Sequence, residues 1–189
     1  MTSRGRTGRP TLVAVSGPPG AGKTTLAHAL AGALGWSAVC RDELKERMAA
    51  VGVGPGGDLD RRTLRVFFRT IGEHLAAGTS LVAEAAYQDR LWRPGLEPLA
   101  DLAVIRVVRC VVDPELARRR IARRAAELPS RAVHADAELL RRIAAGERPV
   151  ESWLPIALDV PCLAVDTTEG LRPPLARIVA FAAGESGEA

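Results

Sequence analysis

The stretch Gly17-Pro18-Pro19-Gly20-Ala21-Gly22-Lys23-Thr24 decides how the rest of this chain is read. It satisfies the pattern G-x-x-x-x-G-K-[ST], whose glycines let the backbone turn sharply and bring its N–H groups against an anion with no Cβ in the way. An apolar, β-branched run precedes it, Thr11-Leu12-Val13-Ala14-Val15-Ser16. An amphipathic run follows, with Leu26, Leu30, Ala33 and Leu34 at i, i+4, i+7 and i+8. Strand, loop and helix in that order are the setting the pattern needs. The loop N–H groups and the positive end of the helix then cradle the α- and β-phosphates. Lys23 would reach the β- and γ-phosphates, and the Thr24 hydroxyl would ligate Mg²⁺. Chance would produce such a match on the order of once in a thousand chains of this composition. Lysine is also scarce here, with Lys23 and Lys45 set against 24 arginines. The stretch therefore reads as a nucleoside-triphosphate site.

Size and composition narrow the class. A chain of 189 residues, 47% hydrophobic and 25% charged, is expected to be one globular domain with a proper core. That domain should run over residues 11–183. Arg4, Arg6 and Arg9, with no acid among them, make 1–10 a basic, disordered leader, and 184–189 a flexible tail. A formal net charge of +4 suits anionic ligands but is too mild to argue for nucleic acid by itself. No apolar segment has the make-up of a signal peptide or the length of a membrane span. Cys40, Cys110 and Cys162 lie in apolar runs without C-x-x-C spacing, the pattern of reduced core thiols in a cytoplasmic protein.

Strand-like and helix-like runs alternate, which argues an α/β fold on a parallel sheet. The expected strands are 11–16, 36–40, 79–84, 102–112 and 161–166. The expected helices are 23–34, 42–50, 60–77, 114–128, 136–145 and 174–183. Leu64, Phe67, Phe68, Ile71 and Leu75 share one face of the third helix; Leu175, Ile178, Val179 and Ala182 do the same in the last. The run Val51–Gly57 is too rich in glycine for regular structure and reads either as a surface linker or as a flap over a pocket.

Further chemistry is placed by position. Asp42 follows the second strand, on the rim where open α/β sheets bind their ligands. A carboxylate there can orient an attacking hydroxyl and take its proton, or it can cap the helix it begins. Glu84 ends the third strand, where an acid commonly holds Mg²⁺, often through water. Asp113 competes for that role, although Pro114 directly after it marks Asp113 as a helix cap. Residues 114–131 carry Arg118, Arg119, Arg120, Arg123, Arg124 and Arg131 against Glu115 and Glu127. A helical wheel sets Arg119, Arg120, Arg123 and Arg124 on one face and Ala117, Ile121, Ala125 and Leu128 on the other. Such a helix can pack while it presents guanidinium groups to phosphate. His134 and Asp136 precede a helix and read as caps. His28 and His74 sit on helices without metal-spaced partners. Trp36, Trp92, Trp153 and Tyr87 read as core aromatics or as walls of an organic-substrate pocket.

Absences matter too. The chain has no asparagine, and neither lysine is followed two residues later by aspartate, so a guanine-reading N-K-x-D or T-K-x-D element is excluded. An oligomeric ATPase motor normally adds a second helical domain, for which this length leaves no room. The phosphate loop, the Arg41-Asp42-Glu43-Leu44 element, the arginine-loaded helix and the late strand Leu163–Thr168 together resemble the P-loop kinases. These are AAA-type, ATP-binding members of the P-loop NTPase superfamily carrying a Walker A loop. The chain is most similar to the kinase half of polynucleotide kinases and to chloramphenicol phosphotransferase, over roughly residues 11–183. The resemblance implies a three-layer fold with a five-stranded parallel sheet in the order 2-3-1-4-5 and an arginine-rich helical lid over about 114–148. It implies catalysis by Asp42, Lys23, Arg120 and Arg124, with Asp42 as base. Nucleotide would be held by Gly17, Pro18, Pro19, Gly20, Ala21, Gly22, Lys23, Thr24 and Thr25 together with Arg120, and Mg²⁺ by Thr24 and Glu84. Two positions depart from the relatives. Glu84 stands where they often have Asp, and Lys45 where polynucleotide kinases have Arg, which turns the reading away from nucleic acid. The expectation is an ATP- and Mg²⁺-dependent transfer of the γ-phosphate to a hydroxyl of a small organic acceptor. A polynucleotide 5′-hydroxyl kinase and a regulatory protein that binds ATP and hydrolyses it slowly stand as the alternatives.

Overall fold

The computed structural model describes residues 8–52, 57–127, 136–145, 153 and 155–185. Five strands, β1 (Thr11–Ser16), β2 (Ser37–Cys40), β3 (Leu81–Glu84), β4 (Val104–Val111) and β5 (Cys162–Asp166), form one sheet in the order β2-β3-β1-β4-β5. Every pairing is parallel, so each strand ends on the same rim. The helices are α1 (Lys23–Leu34), α2 (Arg41–Ala50), α3 (Gly57–Ala76), α4 (Asp89–Leu96), α5 (Pro114–Glu127), α6 (Asp136–Ala144) and α7 (Leu175–Ala183). A 3-10 turn, Glu97–Asp101, follows α4.

The central strand shows why the fold has three layers. Leu12, Val13, Ala14 and Val15 are all fully buried, as a strand covered on both faces must be. The two-residue period of a strand then sends alternate side chains to opposite cores. Leu12 and Ala14 join Phe67, Ile71 and Leu75 of α3 and Trp92 and Leu96 of α4. Val13 and Val15 join Leu26, Ala27 and Leu30 of α1 and Ile178 and Ala182 of α7. A third, smaller cluster holds α5 to α6 through Ala117, Ile121 and Ile143.

Both ends of α1 rest on glycine in the left-handed conformation. Gly22 stands at its N-cap with φ 70°, and Gly35 at its C-cap with φ 67° donates to the Ala31 and Gly32 carbonyls. The expected elements form, β1 and α1 with the expected bounds and the others with boundaries moved by at most three residues. Helix α4 and the turn after it were not expected, because Pro94 and Gly95 stand inside that helix. Tertiary packing overrides local propensity there. Trp92 and Leu96, one turn apart, are buried, and Arg93 donates to the Asp89 carboxylate at 2.6 Å. Gly95 lets the Phe68 ring pack close to the helix, its atoms 2.3 Å from where a Cβ would stand.

Several expectations need correction. Cys40 and Cys110 are buried, but Cys162 at the start of edge strand β5 is exposed. Ala33 and Ala125 face solvent, not the core. At the amino terminus, the Pro10 carbonyl accepts from the Val104 N–H, and Arg9 donates to the Ala100 carbonyl. The expected leader otherwise falls on 1–7, outside the described residues, as do His134, Arg131, Leu128, most of the Val51–Gly57 run and residues 186–189 of the expected tail.

Candidate active site

The phosphate loop joins β1 to α1 with no room for side chains at two of its glycines. Gly17 (φ +148°) and Gly20 (φ +82°) would each set a Cβ 2.6 Å from a backbone carbonyl, that of Cys110 and of Ala117 respectively. At these two glycines the loop is seated closely against the backbone of β4 and α5. Lys23 Nζ donates to the Pro18 carbonyl at 3.1 Å and lies 3.9 Å from Glu84 Oε1. One residue on, Thr24 Oγ1 donates to Glu84 Oε2 at 3.0 Å. Glu84 reaches this position because β3 is the neighbour of β1, with Glu84 in register with Val15. Burial holds the Glu84 carboxyl above its usual range, against the opposing pull of the Lys23 ammonium. A buried carboxylate and a hydroxyl at hydrogen-bond distance are hard oxygen donors, the set that suits Mg²⁺. Asp113 is occupied elsewhere. Its Oδ1 accepts the Leu116 N–H at 2.8 Å, so it caps α5.

Asp42 sits in the first turn of α2 and lines the same cavity of about 380 Å³ as Lys23, Thr24, Glu84 and Arg124. The cap position of α2 falls on Cys40, not on Asp42, so the capping alternative for Asp42 does not hold. The far wall of this cavity is Arg41, Lys45, Asp60, Gln88 and Trp92. Arg41 and Lys45 converge on Asp60 Oδ1 at 2.6 and 2.9 Å, and the Arg41 guanidinium lies 5.9 Å from the centre of the Trp92 ring. Partial burial opposes ionisation of Asp60. The hydrogen bonds and charges of Lys45 and Arg41 outweigh it and hold the carboxyl below its usual range. Trp92, expected as a core aromatic or a pocket wall, is both, whereas Gln88 carries no sequence signal. The strained backbone of Tyr87, buried with φ 43°, turns the chain between Ala86 and Gln88 toward the cavity.

The arginine helix divides more finely than its wheel. Arg120 donates to the Gly20 carbonyl at 3.3 Å and to the Thr167 carbonyl at 2.9 Å, bridging α5, the phosphate loop and the end of β5. Arg124, one turn on, lines the same cavity as Lys23 and Asp42. Arg119 and Arg123 are exposed; Arg123 stands 3.9 Å from Glu127 and also borders the cavity beside Thr25 and Leu26. A second cavity of about 370 Å³ opens behind the loop between Thr25, Leu26, Arg120, Thr167, Gly170 and Leu171. Thr167 ties it together, its hydroxyl bonding the Ala21 and Val111 carbonyls at 3.0 Å each. The cavity borders the loop through Gly20, Gly22 and Thr25.

His28 also departs from expectation. Its Nε2 lies 2.7 Å from Glu43 Oε1 and 3.7 Å from Cys40 Sγ, partners that only the packing of α1 against β2 and α2 supplies.

A family profile described as "AAA domain" matches residues 12–149. No curated protein matches the sequence. Among solved structures, the chain is similar to a candidate kinase from Chloroflexus aurantiacus j-10-fl at 27% identity and a TM-score of 0.77, covering 95% of this chain and 100% of that one. A gluconokinase from Sinorhizobium meliloti 1021 matches at 23% identity and 0.56, over 94% and 91% of the two chains. A shikimate kinase from Acinetobacter baumannii, solved in complex with shikimate, matches at 20% and 0.57, over 95% and 96%.

Proposed function

The chain belongs to the AAA domain family and has the fold of the P-loop kinases; from that premise we propose that it transfers the γ-phosphate of ATP to a hydroxyl of a small organic acceptor. One observation carries the reading. Asp42 lines a single cavity with Lys23, Thr24, Glu84 and Arg124, so a base and a phosphate cradle face the same space.

In this reading the loop N–H groups and Lys23 bind the phosphate chain, and the pocket edged by Arg120, Thr167 and Leu171 receives the base. Thr24 and Glu84 would hold Mg²⁺, which supplies neutralising charge at the β- and γ-phosphates. Lys23 and Arg124 stabilise the charge that spreads over the transferring group, and Arg120 braces the loop beneath it. Asp42 orients the acceptor hydroxyl and takes its proton. Trp92, Gln88 and the Arg41–Asp60–Lys45 wall form the acceptor side. Because Arg41 faces both Asp42, at 3.5 Å, and Asp60, and Lys45 shares Asp60, the two cations there are balanced by two carboxylates, and that wall favours an uncharged, hydroxyl-rich acceptor over a polyanion. A cytoplasmic setting belongs to the proposal; among the described residues, no helix is long and apolar enough to cross a membrane.

The test is ADP release measured over a panel of sugars and polyols, hydroxylated acids, antibiotics, nucleosides and 5′-hydroxyl oligonucleotides. The expected result is turnover with a small uncharged hydroxyl compound well above the rate with water. Turnover restricted to oligonucleotides, with steep salt dependence, would replace the acceptor class by nucleic acid. Tight ATP binding with no stimulation by any hydroxyl compound would favour a nucleotide-gated regulator instead.

A further inference from the structure

We propose that His28, Cys40 and Glu43 form a binding site for a thiophilic divalent cation of the zinc class, separate from the Mg²⁺ position at the phosphate loop. The three donors come from α1, the end of β2 and the first turn of α2, and their ligand atoms all lie within 4.8 Å of one another. No other group of three such side chains is found among the described residues.

The geometry follows from two parallel rungs. Thr24 and His28 are four residues apart on α1 and so share a face. Glu84 and Cys40 are register partners in neighbouring strands, directed to the same side of the sheet. Thr24 meets Glu84 at 3.0 Å, and one turn along His28 meets Cys40 at 3.7 Å. The first rung offers only oxygen. The second offers sulfur and an imidazole nitrogen, and Glu43, three residues after Cys40, adds a carboxylate 2.7 Å from the same His28 nitrogen. Sulfur with imidazole selects zinc-like ions over magnesium.

Distances agree with the donor set. Tetrahedral zinc with ordinary bond lengths places its nitrogen and sulfur ligands about 3.6 Å apart, and nitrogen and oxygen about 3.3 Å apart. The observed His28–Cys40 separation of 3.7 Å already matches the first value. The His28–Glu43 contact opens to the second by rotation of two half-exposed side chains, while Cys40 stays fixed in the buried strand. Three protein ligands leave a fourth position on the solvent side, open to water. A bound ion would clasp α2 to α1 on either side of Asp42, because Cys40 and Glu43 flank it in the chain.

The experiment titrates the reduced, metal-free protein with Co²⁺ in excess Mg²⁺ and follows the thiolate-to-cobalt charge-transfer absorption. One Co²⁺ per chain with that absorption is expected, displaced by Zn²⁺. It should vanish in Cys40→Ser, persist in Cys162→Ser, and weaken in His28→Ala by more than the ~10–100-fold that loss of an outer-shell partner costs. Because Cys40 is buried and its variant may not fold, His28→Ala and Glu43→Gln serve as independent tests at half-exposed positions, with folding verified by circular dichroism. Absence of the thiolate absorption, or full retention of it in His28→Ala, overturns the site. Binding that Mg²⁺ displaces would belong to the Thr24–Glu84 position and would equally overturn it.

Discussion

Gly20 leaves no space for a side chain, since a Cβ there would lie 2.6 Å from the Ala117 carbonyl and φ is +82°. Gly20→Ala is therefore expected to cost about 1–3 kcal/mol in denaturant unfolding, and to remove the rise in Tm that ATP produces, because α5 has to move off the loop. Asp42 makes a different kind of prediction. Asp42→Asn keeps the shape of the cavity and should retain the ATP-dependent Tm shift, while kcat falls by roughly 10²–10⁴-fold. An undiminished kcat would remove Asp42 from the chemistry. At this scale the loop proposed to hold phosphate is legible in the sequence because its residues are contiguous. Trp92 is legible only as an aromatic of the core or of a pocket wall, and Gln88 is not legible, because neither residue type has a motif and the fold alone brings them to the cavity.

Elements are coupled through charged clasps that no helical wheel displays. Asp60 of α3 receives Arg41 and Lys45 of α2, which fixes the helix that carries Asp42. Its carboxyl is held below the usual range when folded, so the clasp adds stability above the ordinary carboxylate pKa of about 4 and loses it as pH falls through the lowered folded value. Tm measured against pH should show wild type above Asp60→Asn near neutrality, with the two curves converging below about pH 4. The arginine-rich helix α5 gives a second contrast. Arg120→Ala breaks two hydrogen bonds that join α5, the loop and β5, and should destabilise by about 1–3 kcal/mol. Arg119→Ala, on the solvent side, should stay within about 0.5 kcal/mol in the same urea melts. The wheel grouped these arginines together. A helix of 100° steps presents Arg119 and Arg120 on adjoining arcs, and only the position of the phosphate loop decides which arc turns inward.

At the scale of the whole molecule, two cores share one sheet, and each must be filled for the strand ends to hold the rim. Phe67 is fully buried between α3, Tyr87 and Trp92, with ring centres 6.2 and 5.7 Å away. Phe67→Ala should cost about 3–5 kcal/mol of global stability by urea denaturation. The acceptor wall should loosen with it, since Trp92 belongs to both the core and the cavity. The elements themselves were readable because period-2 and period-3.6 patterns are local, and because the phosphate motif carries its own strand and helix. Helix α4 was hidden by Pro94 and Gly95, whose local cost is met by burial of Trp92 and Leu96. By itself, then, the sequence determined a glycine-rich loop of phosphate-binding pattern in an α/β chain, one acid at the end of a strand and another just after a strand, and an arginine-rich helix. Only the tertiary structure decided that Glu84, 60 residues from Thr24, accepts its hydroxyl. Packing likewise turned Arg120 and Arg124 inward, built the acceptor side from Trp92 and the Asp60 clasp, and drew Cys40 and Glu43 to His28. The reason is physical: local patterns record which face of an element is apolar, whereas which elements become neighbours is settled by closing long crossovers and filling both cores at once.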